Sequence, residues 1–407
     1  MDYFMLENLD DINLVNSNIE DNNEVEQEDL GPTSITHPFD PHLIKINFET
    51  INLGSIIENI ENDEIDLSPA FQRKSGLWTN TQKSRLIESL ILGLPLPTFF
   101  FAHETRPDIK SIGKSDKQLE DKKNNTKLML LVVDGLQRLC TIKEFVIDKT
   151  LKLSDLEFLN DTHKNANYDD LSREEHRKIK GSRITCANIL EGNPPLVKFI
   201  IFRRINTGGL TLNEQEIRHA LNQGKPADFL NKLARSNEFI LATSKVIKSE
   251  RMLDREFVNR FLAFYMLGEK KYGGEIDLFL ADALSQLSDM PDETFNAIER
   301  RFTKSMFYAF EIFGEDAFRK PKTKGSLKRK PISKALFDTI SVNLARLDDV
   351  DLELLLKNKT DLVEEYDSLI QNDADFLRSI SNATGTIPHV NIRFSKINDL
   401  INKVIKK

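Results

Sequence analysis

The sequence has 407 residues, enough for about two domains of roughly 100–200 residues each. Its 40% apolar and 29% charged residues are ordinary for a globular protein. The longest clean apolar run, residues 128–133, is far shorter than the roughly 20 residues that cross a bilayer, and the N-terminus shows no secretory signal. Two cysteines are too few for a disulfide framework or a Cys-rich zinc site. The sequence predicts a cytoplasmic protein without a membrane partner.

Residues 1–44 differ from the rest of the chain in charge. They contain eleven carboxylates and no Lys or Arg, so the remaining residues, 53 acidic and 56 basic, have a net charge near +3 although the whole chain is at −8. An acidic, Asn-rich segment without hydrophobic periodicity predicts a disordered tail. A second hypothesis is that the tail covers a basic groove of the same chain.

Order is expected to begin near residue 45, with a helix and then a strand up to residue 68. A well-marked helix follows, because Thr79 and Gln82 form a capping box and residues 86–91 place apolar side chains at helical spacing. Gly93 is expected to end that helix.

The next elements are predicted strands at 98–101 and 127–133, which we expect to be neighbours, with a polar insertion between them. A helix after residue 135 and capped helices from Ser172 and Asn213 follow. Residues 184–189 and 197–205 are predicted as paired strands. Almost every segment beyond residue 228 is predicted to be helical. We therefore predict an α+β fold, with one domain at 45–225 and a helical domain at 226–407.

The motif Asp134-Gly135-Leu136-Gln137-Arg138 lies where a predicted strand ends and a helix begins. Free N–H groups and the positive end of the helix dipole make such a turn a ready anion site. Gly135 permits a tight turn, Arg138 is placed to contact phosphate, Asp134 to hold Mg²⁺ or orient a water, and Gln137 to position a nucleophile. The structural alternative is that Asp134 is only a helix cap and Arg138 a solvated or ion-paired side chain.

Two further segments supply candidate nucleotide ligands. The first combines an aromatic anchor with polar and cationic groups, and the second is another turn between an apolar segment and a capped helix. The candidates are Gln72, Arg73, Lys83 and Ser84 in the first segment, and Asn206, Thr207 and Gly208 in the second. The alternatives are a loop closed by core aromatics and a tight turn that requires positive φ.

A basic segment, residues 319–330, has seven basic and no acidic residues. Such a patch suits nucleic-acid phosphates, although a solvated loop has the same composition. The candidate DNA contacts are Arg319, Lys320, Lys322, Lys328, Arg329 and Lys330. By contrast, Gly113-Lys114-Ser115 does not indicate a P-loop, because Asp108 stands in the position of its first glycine and no apolar strand directly precedes it.

Several motifs occur in a familiar order. They are Pro69-x-Phe71-Gln72-Arg73, Trp78, Lys83-Ser84-x-x-Ile87-Glu88-Ser89, Gly93-x-Pro95-x-Pro97, Val132-Val133-Asp134-Gly135-x-Gln137-Arg138, Ile205-Asn206-Thr207-Gly208-Gly209 and Leu212-Asn213-x-x-Glu216-x-Arg218. Together they resemble the N-terminal domain family of GmrSD-type modification-dependent restriction endonucleases, within the ParB and sulfiredoxin superfamily. The resemblance covers about residues 46–221 and continues more weakly beyond.

The resemblance implies a ParB-like domain that binds a nucleoside triphosphate, hydrolyses it in some members, and licenses a separate HNH-type nuclease in an anti-phage system. Two departures affect this expectation: Leu136 replaces a Gln of the family motif, and the C-terminal half lacks the His-x-x-Pro region of the nuclease domain. We therefore expect a Mg²⁺-dependent switch that acts on or near DNA with a nuclease partner. The alternatives are a non-enzymatic DNA-binding adaptor and a nuclease that acts directly through the Asp134 turn.

Overall fold

A computed structural model describes residues 24–32, 42, 44–67, 78–107, 126–205, 212–288, 290–323, 325 and 328–407. The chain divides into two units. The sheet unit comprises Ser34–Lys232 and Ser249–Asn296, and the helical unit comprises Met1–Thr33, Leu233–Lys248 and Ala297–Lys407. This division departs from the predicted boundary between residues 225 and 226, because residues 249–296 belong to the sheet unit.

Among the described residues, five strands form one sheet in the order β1-β5-β3-β4-β2. β1 Ile46–Asn52 is antiparallel to β5 Arg183–Ile189, which is parallel to β3 Phe99–Pro107. β3 is antiparallel to β4 Thr126–Asp134, and β4 is parallel to the short β2 Ile65–Asp66. The structure therefore confirms the predicted strands near 98–101 and 127–133 as neighbours.

At the inner strands β3 and β4, both faces of the sheet contribute to the core, since side chains there alternate between two apolar clusters. On β3, Phe99 and Phe101 belong to one cluster and Ala102 to the other. On β4, Val132 and Val133 divide in the same way. Burial on both faces explains why these strands have unbroken apolar sequences.

Helices cover the sheet and build the helical unit. None of the described helices has the length and apolar composition needed to cross a membrane. The helices are α1 Leu53–Glu61, α2 Asn80–Leu92, α3 Leu136–Ile142 with a π-helical continuation Lys143–Ile147, α4 Asn160–His163, α5 Arg173–Gly181, α6 Pro195–Ile205, α7 Glu214–Leu221, α8 Lys225–Ala234, α9 Asn237–Ala242, α10 Leu253–Met266, α11 Ile276–Ser288, α12 Asp292–Phe313, α13 Lys334–Arg346, α14 Asp349–Lys357, α15 Lys359–Asn372, α16 Ala374–Ser379 and α17 Ile387–Ile405.

The predicted caps of α2 are present. The Thr79 side chain accepts from the backbone N–H of Gln82, and Gln82 Oε1 accepts from the Thr79 N–H at 2.9 Å. Gly93 ends the helix with φ at +76°, a conformation that glycine adopts without steric penalty. The capping boxes predicted for α5 and α7 are also formed.

The prediction of a strand at 197–205 is wrong, because this segment lies within helix α6. Its apolar run Phe199–Phe202 is buried throughout, and a short continuous apolar run does not distinguish a buried strand from a buried helix. Pro195 at the first helical position, where its missing N–H costs nothing, favours the helix. The abundance of aromatic and β-branched residues misled the prediction.

The predicted disordered tail is corrected for residues 24–32, which bind to the helical unit. The Glu26 N–H donates to Ile332 O at 2.8 Å, and the Ile332 N–H donates to Glu24 O at 3.0 Å. Farther along, Asp29 O accepts from the Thr384 N–H at 2.7 Å. These backbone bonds require no hydrophobic periodicity in the segment, which is why its composition did not reveal them.

Helix α2 is attached to the loop 152–159 by a buried carboxylate. Glu88 is 3% exposed and accepts from the backbone N–H groups of residues 157–159 at 2.7 to 3.0 Å. Burial raises the pKa of Glu88, but the three donors and the nearby Arg85 outweigh that effect and leave the pKa below its ordinary value.

We predict that Glu88→Ala destabilises the protein by roughly 3–5 kcal/mol, since three backbone N–H groups lose their charged acceptor. The depressed pKa means that the charged carboxylate stabilises the fold fully above the ordinary value of 4.5 and loses this effect as the pH falls through the lower folded-state pKa. Glu88→Gln is therefore expected to reduce the loss of unfolding free energy that occurs as the pH falls below the ordinary value of 4.5. Urea unfolding at several pH values measures this loss. Glu157→Gln, an exposed change in the same loop, is the control, and an equal reduction of the loss there would contradict the prediction.

Candidate functional site

The turn between β4 and α3 contains the predicted motif. β4 ends at Asp134, Gly135 has φ at +101°, and α3 begins at Leu136. The predicted junction of strand and helix is therefore correct, but the N-cap is Gly135 and not Asp134. Because the cap residue has no side chain, the first N–H groups of α3 receive no side-chain cap from it.

Gly135 is required here for a second, steric reason. A Cβ atom at this position would lie 2.5 Å from Cδ1 of Phe99 and 3.1 Å from Nη2 of Arg138. The ring of Phe99 is fully buried, so it cannot move aside easily. Positive φ and this close approach together exclude any side chain at residue 135.

The Arg138 guanidinium is directed into the protein. Nη1 donates to Pro97 O, while Nη2 donates to Thr98 O at 3.1 Å and to Asp134 Oδ2 at 2.9 Å. The guanidinium also lies over the Phe99 ring, 4.2 Å from its centroid. Three of its five N–H donors thus bind protein oxygens, and the side chain is only 10% exposed. Its observed contacts connect the turn to the start of β3, whereas the predicted phosphate contact stays a prediction.

The two charges of the Arg138–Asp134 ion pair are unequally exposed. Burial lowers the pKa of Arg138, and the ion pair with Asp134 raises it in part. An arginine stays protonated under such shifts, so the buried positive charge needs its partner. The Asp134 side chain is 35% exposed, and its contact with Arg138 uses Oδ2. The carboxylate is therefore positioned by Arg138 while remaining accessible to solvent.

The donor set around Asp134 agrees with one kind of metal site. Mg²⁺ in phosphate-transfer sites is commonly held by one or two carboxylates together with phosphate and water oxygens. A partly exposed carboxylate with a fixed orientation fits that arrangement. Within the described residues there is no group of three or more His, Cys, Asp or Glu that could hold a metal, so a site made by protein ligands alone is not formed there.

Gln137 connects the turn to the segment before α2. Its Oε1 accepts from the backbone N–H of Trp78 at 3.4 Å. Trp78 directly follows the segment that contains Gln72 and Arg73, two predicted ligands that lie outside the described residues. The predicted role of Gln137 in orienting a nucleophile stays a prediction.

Lys83 and Ser84 have structural contacts. Lys83 Nζ is 2.5 Å from Glu144 Oε2, so this cation already has a partner on the π-helical continuation of α3. Ser84 is fully buried and accepts from the backbone N–H of Ser154 at 2.9 Å. Its hydroxyl thus holds the loop at residue 154, and the role of Ser84 as a nucleotide ligand stays a prediction.

The second predicted turn, Asn206, Thr207 and Gly208, also lies outside the described residues. The residues on either side of the gap, Ile205 and Leu212, pack against the apolar cluster that contains Val133. Since Val133 precedes the Asp134 turn, the chain before and after this segment shares a core with the end of β4.

The basic segment is partly neutralised by neighbouring carboxylates. Arg319 is 6% exposed and donates from Nη1 to Lys330 O at 2.5 Å, so it has a structural contact, and its predicted DNA contact stays a prediction. Three of the exposed or half-buried cations form ion pairs within the helical unit. These pairs are Lys320 with Glu26 at 2.6 Å, Lys322 with Asp316 at 3.0 Å and Arg329 with Glu315 at 2.7 Å. Lys328 and Lys330 are exposed.

Sequence reasoning missed Phe99 as a residue of the site. The i,i+4 spacing of Asp134 and Arg138 was a usable signal for their ion pair. The packing of Phe99 under Gly135 had no comparable signal, because it depends on the β3–β4 register. The site thus consists of an apolar platform, a buried cation and a partly exposed carboxylate.

The fold and this turn define a mixed α/β domain organised around an Asp-Gly strand-to-helix junction. Residues 53–222 match the family described as GmrSD restriction endonuclease, N-terminal domain, so this part of the chain is similar to that family. The match confirms the resemblance seen in the sequence. No curated protein matches the chain.

Gly135→Ala is predicted to destabilise the protein by roughly 2–5 kcal/mol. This value is the sum of two free-energy costs, that of a left-handed backbone at a residue with a Cβ and that of overpacking against Phe99. Gly93→Ala is the matched control, since Gly93 also has positive φ but a Cβ there meets nothing within 4 Å. Only the backbone term of about 1–2 kcal/mol is expected for the control. Urea unfolding of both variants measures the difference, and equal losses would show that Phe99 moves aside without penalty.

Proposed function

We propose that this protein is a nucleoside-triphosphate-binding regulatory component of a restriction or anti-phage defence system, with a ParB-like fold in its sheet unit. The family of residues 53–222 supports the restriction or defence role. The observation that carries the nucleotide proposal is the turn of Asp134 and Gly135, which joins an inner strand of the sheet to a helix whose first N–H groups receive no side-chain cap.

Each group at the turn has a distinct part in this proposal. The N–H groups at the start of α3 receive phosphate oxygens, with the positive end of the helix dipole behind them. Asp134 would hold a Mg²⁺ ion or a water, and Gln137 would orient a water for hydrolysis. A bound Mg²⁺ ion would neutralise charge on the phosphates. Arg73 and Asn206 are the proposed further ligands from the two flanking segments.

Arg138 contributes to the site through Asp134. Its contacts with Pro97 O, Thr98 O and Asp134 fix the orientation of the Asp134 carboxylate beside the turn. An orientation fixed before ligand binding reduces the entropy lost on binding. The pairing of Asp134 with Arg138 is therefore explained by positioning, even where the guanidinium itself contacts no phosphate.

A non-enzymatic adaptor is the second candidate function, and the environment of Leu136 favours it. Leu136 is partly buried and packs against the apolar cluster beneath the turn. A Gln in its place would offer a polar group at this position. Turnover is therefore the step most weakened in this chain, whereas nucleotide binding depends on the backbone and on Asp134. A separate nuclease subunit is the proposed partner in either case.

We predict that a triphosphate with Mg²⁺ binds the protein and that Asp134→Asn weakens this binding by roughly 10- to 150-fold, the equivalent of one charge-assisted contact. The Asn side chain keeps an oxygen that can accept from Arg138 Nη2, so the hydrogen bond to the guanidinium is retained while the counter-charge is lost. Asp148→Asn is the control, because Asp148 is paired with Lys143 on the same continuous helical stretch but lies away from the turn. Calorimetry with the four common triphosphates measures binding. If none of the four binds the parent protein, the nucleotide proposal is excluded and the non-enzymatic adaptor is the remaining candidate function.

DNA binding by the helical unit is a further candidate that the exposed side chains of Lys328, Arg329 and Lys330 favour. Changing these three residues to Ala is predicted to flatten the slope of log K against log salt by at most about three units, at roughly 0.9 per phosphate contact. Duplex titrations at several salt concentrations measure the slope. A triple Ala variant at Lys403, Lys406 and Lys407 of the same unit is the control. Equal slopes for the parent and the 328–330 variant would identify the segment as a solvated loop.

A further inference from the structure

Residues 24–32 lie in a groove of the helical unit that has the features of a peptide-binding site. At one end, Glu24 and Glu26 exchange two backbone hydrogen bonds with Ile332, the pattern by which an extended peptide adds to a strand. At the other end, three successive N–H groups, those of residues 383–385, donate to Asp29 Oδ2, Asp29 O and Leu30 O. Backbone groups thus recognise the segment at both ends.

Side chains add charge complementarity to these backbone contacts. The segment contains four carboxylates in six positions, residues 24–29. Glu26 pairs with Lys320 at 2.6 Å, and Glu28 Oε1 accepts from the Thr384 hydroxyl at 3.2 Å. Asp29 Oδ1 accepts from the Gly31 N–H at 3.0 Å, which closes a turn within the segment. The groove therefore selects an acidic, extended chain with a turn after its last carboxylate.

Two glycines permit close approach of segment and groove. A Cβ on Gly31 would lie 2.6 Å from Cβ of Ala383, and a Cβ on Gly385 would lie 2.8 Å from Leu30 O. The two surfaces are therefore shaped for each other.

The segment is nevertheless held at the surface. Each of its described residues is half-buried or exposed, and a polar cleft lined by Gln27, Ser333 and Ser381 stays open beside it. Its stabilisation therefore comes mainly from hydrogen bonds, whose small net contributions are comparable to the entropy lost when each residue is ordered. Such a balance is expected of a ligand that exchanges.

We propose that this groove is a recognition site for an acidic, extended peptide of another protein, and that residues 24–32 are its ligand within the chain. The internal segment has the advantage of high effective concentration, so a partner peptide must bind more strongly or be held nearby to replace it. Replacement releases Lys320 from Glu26. The proposal is independent of nucleotide binding in the sheet unit.

The first test measures amide hydrogen exchange in the full-length protein. Residues 24–32 and the N–H groups of 383–385 are expected to exchange at least 100-fold faster than the interior of α17, because the segment leaves the groove without global unfolding. Gly385→Ala, which places a methyl group against Leu30 O and removes no charge, is expected to release the segment while α13 and α17 stay protected. Gly181→Ala, where a Cβ meets nothing within 4 Å, is the control. Exchange at the rate of α17 would overturn the proposal and make the segment a permanent part of the fold.

The second test measures whether residues 24–32 bind the groove as a separate peptide. A fluorescent peptide of residues 24–32 is titrated by anisotropy into full-length protein, the Asp29→Ala variant and the Asp29→Ala/Gly385→Ala variant. Asp29→Ala weakens the internal ligand and leaves the groove intact, so we expect the peptide to bind this variant at least tenfold more tightly than the parent. The added Gly385→Ala change should abolish that gain, and a peptide carrying Asp29→Ala should not bind. Equal binding to all three proteins, or to none, would refute the groove as an exchangeable peptide site.

Discussion

The contact between the Phe99 ring and Gly135 determines how the end of β4 meets the start of β3. Because no side chain fits between them, the turn lies directly on the ring, and Arg138 covers the same ring. The β3–β4 pairing begins at Phe100 and Asp134, with an irregularity before Phe101. Irregular pairing of this kind re-aims side chains at the ends of strands. The direction of the Asp134 carboxylate therefore follows from apolar packing one residue away.

This dependence separates the residues that build the site from those that meet a ligand. Arg138 carries the charge expected of a phosphate ligand, yet its burial requires the oxygens of Pro97, Thr98 and Asp134 as partners. Ser84 and Glu88 likewise use their polar atoms to hold the loop 152–159. What remains for a ligand is the accessible part of Asp134 and the backbone of the turn. In the proposed function, these are the features that a phosphate would contact, whether or not it is hydrolysed.

Local signals in the sequence predicted those elements whose ends are specified by short-range chemistry. The caps of α2, α5 and α7 involve residues three apart, so the sequence shows both partners at once. The error at α6 has a different origin, because its apolar run is buried on nearly every side and so lacks the periodicity that separates helix from strand. The orientations of Arg138 and Ser84 depend on neighbours 41 and 70 residues away, and no local pattern contains that information.

Charge is the property for which whole-chain composition misleads most. The net value of −8 combines an acidic N-terminal segment with a body that is slightly basic. In the helical unit the two kinds of charge meet, since Glu26 pairs with Lys320, and the neighbouring Arg329 pairs with Glu315. A cation already paired with a carboxylate gains less from a phosphate, because the first ion pair must be broken before the second forms. The electrostatic strength of the basic segment therefore depends on what occupies the adjoining groove, so residues 24–32 and the basic loop act as one electrostatic element.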